Sequence, residues 1–265
     1  MKKREEIEFY RSDSLLIDDA IDRIVVEIHQ RKKLFDKNTV LFTGCSAGSG
    51  TTATVINLAI ALAQAGWKTL LIDCDLRKKS EYKRLNQDDE IGLSDYLSGV
   101  AKKEEVIYDS NYENMRYIPG GKSAGRAIRL LCTQEMENLL KEVKDEYDYV
   151  ILDLPSINIV SDADILAPFV DGIVLMAALN QTTKPQLANA KRKMLKYGDK
   201  FYGIIVNKVE LSQYKKVIKD YDYFRTKNLS KKYEKNLEKK RKQNKSWNGD
   251  EFENEDVRKE NKNEK

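Results

Sequence analysis

Apolar residues near the start of the chain recur with the spacing of a helix. Ile17, Ile21, Ile24 and Ile28 are separated alternately by four and three residues, so their side chains would share one helical face. We therefore predict a helix over residues 15–30. A single apolar stripe of this kind packs either on the domain that carries it or on a neighbouring molecule, and the pattern allows both.

From residue 39 to residue 207, short apolar runs alternate with helical segments. The runs are apolar throughout, which is typical of strands covered on both faces of a sheet. The predicted strands are 39–43, 68–73, 115–118, 149–153, 172–178 and 202–207. The predicted helices between them are 52–65, 133–146, 162–169 and 184–197. This order predicts an α/β fold with a doubly wound, mostly parallel sheet flanked by helices, and a ligand site at the carboxyl ends of the strands.

Composition changes beyond the last predicted strand. We divide the 265-residue chain into an amino-terminal helical segment (1–37), an α/β domain (38–210) and a tail (211–265). The tail is rich in tyrosine and lysine and then acidic, and its low apolar content predicts a mobile segment. Residues 226–265 carry thirteen basic and nine acidic side chains, which accounts for the whole formal charge of +4. The net charge therefore says little about what the α/β domain binds.

The sequence contains no obvious membrane-spanning or secretory segment. No apolar run approaches the roughly 20 residues that a spanning helix needs. The first ten residues, MKKREEIEFY, lack the apolar core of a signal peptide. These features predict a cytoplasmic protein that reaches a membrane only through a partner.

A glycine-rich segment, TGCSAGSGTT, lies between the first predicted strand of the sheet and the helix that follows it. In this context successive backbone N–H groups can point at phosphates, and the helix dipole assists them. Against the template G-x-x-x-x-G-K-[ST], Cys45 stands at the first glycine and Thr51 at the lysine, while Thr52 keeps the hydroxyl that binds Mg²⁺. Taken alone, the segment fits a tight glycine turn as well as a phosphate site.

Aspartates end two of the predicted strands. Asp73 and Asp75 lie in LLIDCDLR, and Asp153 lies in VILDLP. In a parallel sheet these positions fall on the same edge as the glycine-rich loop, where carboxylates can hold Mg²⁺ or its waters. Aspartates after strands also form caps and turns. The glycine-rich loop, the Asp73/Asp75 pair and Asp153 nevertheless follow one another in the order of a nucleotide site, and together they favour nucleotide binding.

With these motifs the sequence resembles the bacterial tyrosine kinases of capsule and exopolysaccharide synthesis, which are relatives of the ParA/MinD partition ATPases. The likeness covers about residues 19–224. It is carried by TGCSAGSGTTATVINLAIALAQAGWKTLLIDCDLRK, GLSDYLSG, YIPGG, YDYVILDLPSINIVSDADIL and GIIVNK. LLIDCDLR is the most specific of them, because it matches the family's own second motif, an apolar strand followed by D-x-D-x-R.

The resemblance implies a site, cofactors and partners. The cofactors would be ATP and Mg²⁺, and the partners would be a separate membrane adaptor of polysaccharide export, other copies of the chain, and the tail tyrosines of neighbouring subunits. The adaptor would recruit the protein to the inner face of the membrane. The implied nucleotide-binding residues are Gly48, Ser49, Gly50, Thr51, Thr52 and Asn207, the last contacting the base. The implied catalytic residues are Asp73, Asp75 and Asp153, the metal ligands Thr52, Asp75 and Asp153, and the autophosphorylation sites Tyr221 and Tyr223.

Three features depart from the family pattern. Thr51 replaces the lysine that bridges the β- and γ-phosphates, Ser156 replaces the second proline of D-x-P-P, and AIDRIVVEI stands where relatives carry an arginine-rich segment. Both catalysis and ring-like self-assembly are thereby put in question. Two basic clusters either are solvated or supply the missing cation, and we select Lys78 as the best single candidate. These clusters are Arg77, Lys78 and Lys79, and Lys122, Arg126 and Arg129.

Three functions follow from these observations. The first is an active tyrosine autokinase, and the second is a kinase-like regulatory module that binds nucleotide without turning it over. The third is a partition-type ATPase whose basic block at residues 227–245 binds DNA or membrane. The D-x-D-x-R motif and the tail tyrosines favour the first, so we do not expect a nucleic acid partner.

Overall fold

The computed structural model describes residues 6–10, 15–77, 91–121 and 125–210. The helices are α1 (Leu15–Phe35), α2 (Thr51–Gln64), α3 (Leu93–Leu97), α4 (Lys103–Val106), α5 (Ala127–Leu131), α6 (Gln134–Glu146), α7 (Asp162–Leu166) and α8 (Lys184–Leu195). The strands are β1 (Thr39–Gly44), β2 (Thr69–Asp73), β3 (Tyr108–Asp109), β4 (Met115–Ile118), β5 (Tyr149–Leu154), β6 (Gly172–Ala178) and β7 (Phe201–Asn207).

The strands form one seven-stranded sheet in the order β3-β4-β2-β5-β1-β6-β7. Every neighbouring pair is parallel except β3 and β4, which run antiparallel. After β1 the chain builds β2, β3, β4 and β5 on one side of that strand, and it then crosses to build β6 and β7 on the other side. This reversal of direction around β1 is the place where ligands bind in open α/β sheets.

Apolar side chains cover both faces of the sheet. Successive residues of β1 go to opposite sides, because Leu41 belongs to one buried cluster and Val40 and Phe42 belong to the other. Helices α1 and α2 cover the second face, with Leu58 and Leu62 of α2 fully buried there. The predicted doubly wound, mostly parallel fold is confirmed.

Helix α1 packs on its own domain. Ile21 and Ile28 are buried, and His29 places Nδ1 2.8 Å from the hydroxyl of Tyr149 at the start of β5. The imidazole of His29 also stacks on Trp67, with ring centroids 4.7 Å apart. Of the two packing partners that the apolar stripe allowed, the structure therefore shows the intramolecular one.

The six predicted strands are all present, each with ends within one residue of the prediction. The predicted helix over 162–169 was too long, because α7 ends at Leu166 and a 3-10 turn containing Pro168 follows it. The helix predicted over 15–30 was too short, since α1 continues to Phe35. In the described part of the chain, no helix has the length and apolar character needed to cross a bilayer.

Candidate nucleotide-binding site

The sheet register brings two of the predicted carboxylates together. β2 and β5 are parallel neighbours, and Asp73 lies opposite Asp153 in their register. Both side chains are buried, with 7% and 3% of their surface exposed. Asp73, the last residue of β2, and Asp153, the penultimate residue of β5, therefore lie side by side at the same edge of the sheet, as the sequence predicted.

The loop between β1 and α2 has backbone geometry that glycine permits. Gly48 and Gly50 have φ angles of 72° and 84°, in the left-handed region where a side chain would be strained. A Cβ on Gly50 would also lie 2.2 Å from Nδ2 of Asn207. Gly50 is the N-cap of the 14-residue helix α2, so the loop ends at the positive end of a helix dipole.

Polar side chains from three other segments hold this loop in place. Asn207, at the end of β7, donates from Nδ2 to the carbonyl of Ser49 at 3.0 Å. Asn158, after β5, donates from Nδ2 to the carbonyl of Cys45 at 2.8 Å. The hydroxyl of Thr182, after β6, lies 3.1 Å from that of Ser46. The loop is thus tied to the carboxyl ends of the strands on both sides of it.

A cavity of about 530 Å³ opens beside the loop. This volume lies within the range of about 300–1,000 Å³ that is usual for small-molecule sites. Its lining joins the loop to all three predicted carboxylates and includes Gly48, Ser49, Gly50, Thr51, Thr52, Asp73, Asp75, Asp153, Ser156 and Lys208. The structure therefore places the predicted phosphate loop and the predicted metal-binding carboxylates around one space.

The turn after β2 is organised by its own carboxylates. Asp73 accepts a hydrogen bond at Oδ1 from the backbone N–H of Asp75 at 2.9 Å. Gly120, after β4, lies beside this turn, and a Cβ there would be in ordinary van der Waals contact with Oδ2 of Asp73, at 3.6 Å. Gly121, with φ of 79°, packs against Gly92 and Ser94 at the start of α3. The motifs GLSDYLSG and YIPGG thus form a wall next to the carboxylates.

Arg77 forms an ion pair with a buried partner. Its guanidinium donates to Oδ2 of Asp162, the first residue of α7, whose side chain is fully buried. Burial raises the pKa of Asp162 above its usual value, although the guanidinium of Arg77 opposes that rise. Arg77 does not line the cavity. Its guanidinium pairs with Asp162 inside the fold, and we assign it a structural role instead of phosphate binding.

The remaining predicted site residues fall into two groups. Asn207 contacts the loop rather than lining the cavity, so its contact with a base stays a prediction. Arg126 and Arg129 lie at α5, are exposed, and do not line the cavity. Several predicted residues lie outside the described ones, namely Lys78, Lys79, Lys122, Tyr221 and Tyr223.

Three residues of the site were missed in the sequence. Asn158 and Thr182 hold the loop, and Lys208 lines the cavity. Each follows directly on a strand of the parallel sheet or lies a few residues beyond its end. The rule that ligands bind at the carboxyl ends of strands indicates the edge of the sheet where all three lie, but it does not say which polar residues there contact the loop or line the cavity.

The residues present fit a nucleotide phosphate chain with Mg²⁺. The left-handed glycines and the α2 terminus provide N–H donors, and burial raises the pKa of the Cys45 thiol to about 11, so the loop carries no thiolate at neutral pH. Within the described residues no three His, Cys, Asp or Glu side chains form a metal cluster by themselves. Mg²⁺ usually takes only one or two protein carboxylates and keeps several waters, so this agrees with Mg²⁺ bound together with phosphate.

Ser156 has a buried hydroxyl with no hydrogen-bond partner among the described residues, and it lines the cavity. Leaving such a group unsatisfied costs roughly 1–3 kcal/mol. Ser156→Ala is therefore expected to raise the free energy of unfolding by about 1 kcal/mol in urea titrations without nucleotide. As the matched control, Ser110→Ala should lower it by a similar amount, because the Ser110 hydroxyl donates to the carbonyl of Met115 at 2.8 Å. Equal losses in both variants would contradict this expectation.

Known proteins resemble this chain in sequence and in fold. The profile of the AAA domain family matches residues 38–175. The chain is 36% identical over 178 residues to the tyrosine-protein kinase CpsD of Streptococcus agalactiae, covering 66% of this chain and 78% of that protein. The kinase domain of the Escherichia coli tyrosine kinase ETK superposes with a TM-score of 0.67 at 25% identity, over 76% of this chain and 85% of that one.

A second solved structure is similar to this chain in fold only. The septum site-determining protein MinD of Pyrococcus horikoshii superposes with a TM-score of 0.52 at 22% identity, over 64% of this chain and 70% of that one. Its likeness is weaker than that of the kinase domain in TM-score, identity and coverage. The chain therefore belongs to the bacterial tyrosine kinase family of capsule and exopolysaccharide synthesis, and it shares its fold with MinD.

Proposed function

We propose that this chain binds Mg²⁺-ATP in the cavity beside the loop and phosphorylates tyrosines in the tail of a neighbouring copy. The observation that carries the proposal is the shared cavity, because it joins a glycine loop at a helix terminus to Asp73, Asp75 and Asp153. Phosphoryl transfer needs positioning and charge neutralisation more than covalent chemistry. Those are the two contributions that such a cavity can make.

Each part of the site has a role in this proposal. The backbone N–H groups around Gly48 and Gly50 hold the phosphates, while Thr52, Asp75 and Asp153 hold Mg²⁺ or its waters. Bound Mg²⁺ neutralises charge on the phosphates. The tyrosine oxygen forms a bond to the γ-phosphorus, the bond from that phosphorus to the bridging oxygen of ADP breaks, and Asp73 or Asp75 accepts the tyrosine proton.

Thr51 sets the expected rate. It is the first residue of α2 and lines the cavity, but its hydroxyl cannot supply the positive charge that a lysine brings to the phosphates. The loss of one well-placed donor to a developing charge costs about 2.7–4 kcal/mol. We therefore expect slow turnover together with preserved nucleotide binding.

The proposal is tested by labelling the purified full chain with radioactive ATP and Mg²⁺. Label is expected on tyrosine, and most of it should be lost in the Tyr221→Phe, Tyr223→Phe double variant. Tyr10→Phe is the matched control, because Tyr10 is an exposed tyrosine outside the tail and its loss should leave the label unchanged. Label that persists in the double variant would refute the assignment of these two tyrosines.

A kinase-like regulatory module is the second candidate, and Thr51 is the observation that favours it. Such a module would bind ATP and signal through its bound state without transferring phosphate. Titration calorimetry that shows ATP binding, combined with the absence of tyrosine labelling, would establish this function and exclude the autokinase. A partition ATPase is the third candidate, and only the similarity to the MinD fold supports it. Salt-sensitive DNA binding by the purified chain would favour this function.

The partners and location belong to the same proposal. A membrane adaptor of polysaccharide export would recruit the chain to the inner face of the membrane, and self-association would present one copy's tail to the next copy's cavity. The relatives named as tyrosine-protein kinases support the transfer of phosphate to tyrosine. Labelling that rises with protein concentration would support transfer between copies, whereas a rate independent of concentration would indicate transfer within one chain.

A further inference from the structure

The cavity has an unusual balance of charge for a phosphate site. Asp73, Asp75 and Asp153 line it, and Thr51 stands where a lysine is expected. Among the described residues of the lining, Lys208 carries the only ammonium or guanidinium group. A triphosphate brought next to three carboxylates needs positive charge in addition to Mg²⁺, because like charges at short range repel.

The backbone at Lys208 is fixed next to the loop. Its N–H donates to Oδ1 of Asn207 at 2.8 Å, and Nδ2 of the same Asn207 donates to the carbonyl of Ser49 at 3.0 Å. One amide side chain therefore bridges the backbone of Lys208 to the backbone of the loop. Lys208 also has a φ angle of 58°, a left-handed conformation that is uncommon for a residue with a side chain.

The side chain of Lys208 is free to change partner. Its Nζ donates to Oε1 of Gln181 at 2.7 Å, and both side chains are exposed. The amide of Gln181 is a neutral acceptor, whereas a phosphate oxygen carries a charge opposite to that of the ammonium and is therefore the stronger acceptor. The four-carbon stem of lysine lets the ammonium exchange one acceptor for the other while the backbone stays in place.

From these observations we infer that Lys208 binds the phosphate chain of the nucleotide and contributes to its affinity, although it does not replace the loop lysine in the transfer step. This inference rests on the proposed nucleotide site and names the group that completes it. Lys78, the candidate selected from the sequence, lies outside the described residues, and its role stays a prediction. Lys208 reaches the cavity from the end of β7.

The test is titration calorimetry of the full chain with ATP, ADP and adenosine. Lys208→Ala is expected to weaken ATP binding about 10- to 100-fold, which is the usual value of a hydrogen bond to a charged group. ADP binding should weaken too, whereas adenosine binding should change little. Lys208→Arg should retain most of the affinity, because it keeps the charge. The matched control is Lys200→Ala, since Lys200 lies at the opposite end of β7 and donates to the carbonyl of Pro168.

A second variant separates charge from position. Adding Thr51→Lys to Lys208→Ala is expected to restore ATP affinity, because the lysine then returns to the loop. ATP affinity unchanged by Lys208→Ala would overturn the inference and leave the proposed function intact. Equal losses for ATP and adenosine would also overturn it, since they would place Lys208 at the nucleoside. A wild-type chain that binds none of the three ligands would overturn both the inference and the proposed function.

Discussion

Replacing Thr51 with lysine is expected to raise the rate of tyrosine labelling about 100- to 1000-fold. Thr51 begins α2 and lines the cavity, so a lysine there extends from the helix terminus toward the space that the phosphates occupy. The added ammonium would stabilise charge on the transferred phosphoryl group in the transition state. Initial rates of phosphotyrosine formation with saturating Mg²⁺-ATP measure the gain.

The control for this variant is Thr51→Met, which lengthens the side chain without adding charge. It should leave the rate at the wild-type level or below it. An equal gain in both variants would show that packing at the loop, and not charge, limits the reaction. A lysine variant that binds ATP but gains no rate would contradict the view that the site lacks only this cation.

Removing the guanidinium of Arg77 is expected to lower the free energy of unfolding by about 3 kcal/mol at pH 7. The carboxylate of Asp162 is fully buried, and its Oδ1 has no hydrogen-bond partner among the described residues. Without Arg77 a buried charge would lose its counter-charge, a change that typically costs about 3–5 kcal/mol. We expect the lower end because the Arg77 side chain is 33% exposed. Urea unfolding of Arg77→Ala measures the loss.

This loss should depend on pH in a definite direction. Burial raises the folded-state pKa of Asp162, and removal of Arg77 takes away the attraction that opposes the rise. When the pKa of a carboxyl group is higher in the folded state than in the unfolded state, the protonated group stabilises the fold. This stabilisation is lost as the pH rises from the unfolded-state pKa to above the folded-state pKa. The difference between Arg77→Ala and the wild type should therefore be small below about pH 4 and largest near neutrality.

Two further variants check the cause of the loss. Adding Asp162→Asn to Arg77→Ala removes the buried charge and should recover most of the lost stability. Arg77→Lys keeps a positive charge and should be less destabilising than Arg77→Ala. A urea midpoint unchanged in Arg77→Ala, or a loss that is the same at acidic and neutral pH, would show that the pair contributes little to the fold.

The sheet could be predicted from the sequence because its strands are continuous apolar runs covered on both faces. The position of each run also placed Asp73 and Asp153 at the same edge, and their register confirms that placement. Helices α3, α4 and α5 were missed because four or five residues are too few to show a helical period. Their positions depend on contacts made after the sheet has formed.

Parts of the site could not be predicted for the same reason. The partner of Arg77 lies 85 residues away in the chain, and no local pattern in the sequence connects the two. Lys208 looks like an ordinary surface lysine until β7 is placed beside β6 and its end is brought to the loop. Chemical groups on single strands were predictable, whereas pairings between distant segments required the folded arrangement.

The side chains that hold the loop have a thermodynamic consequence. Because Asn207 and Asn158 already hold its backbone and Thr182 contacts its Ser46 hydroxyl, a nucleotide that binds there does not have to order the loop. Affinity gained through such preorganisation adds to what the charge of Lys208 contributes. Substitution at Thr51 can therefore change the speed of phosphate transfer while the shape that recognises phosphate is kept. The loop backbone thus determines phosphate binding, whereas the residue at position 51 determines the rate of transfer, so the two properties can change separately.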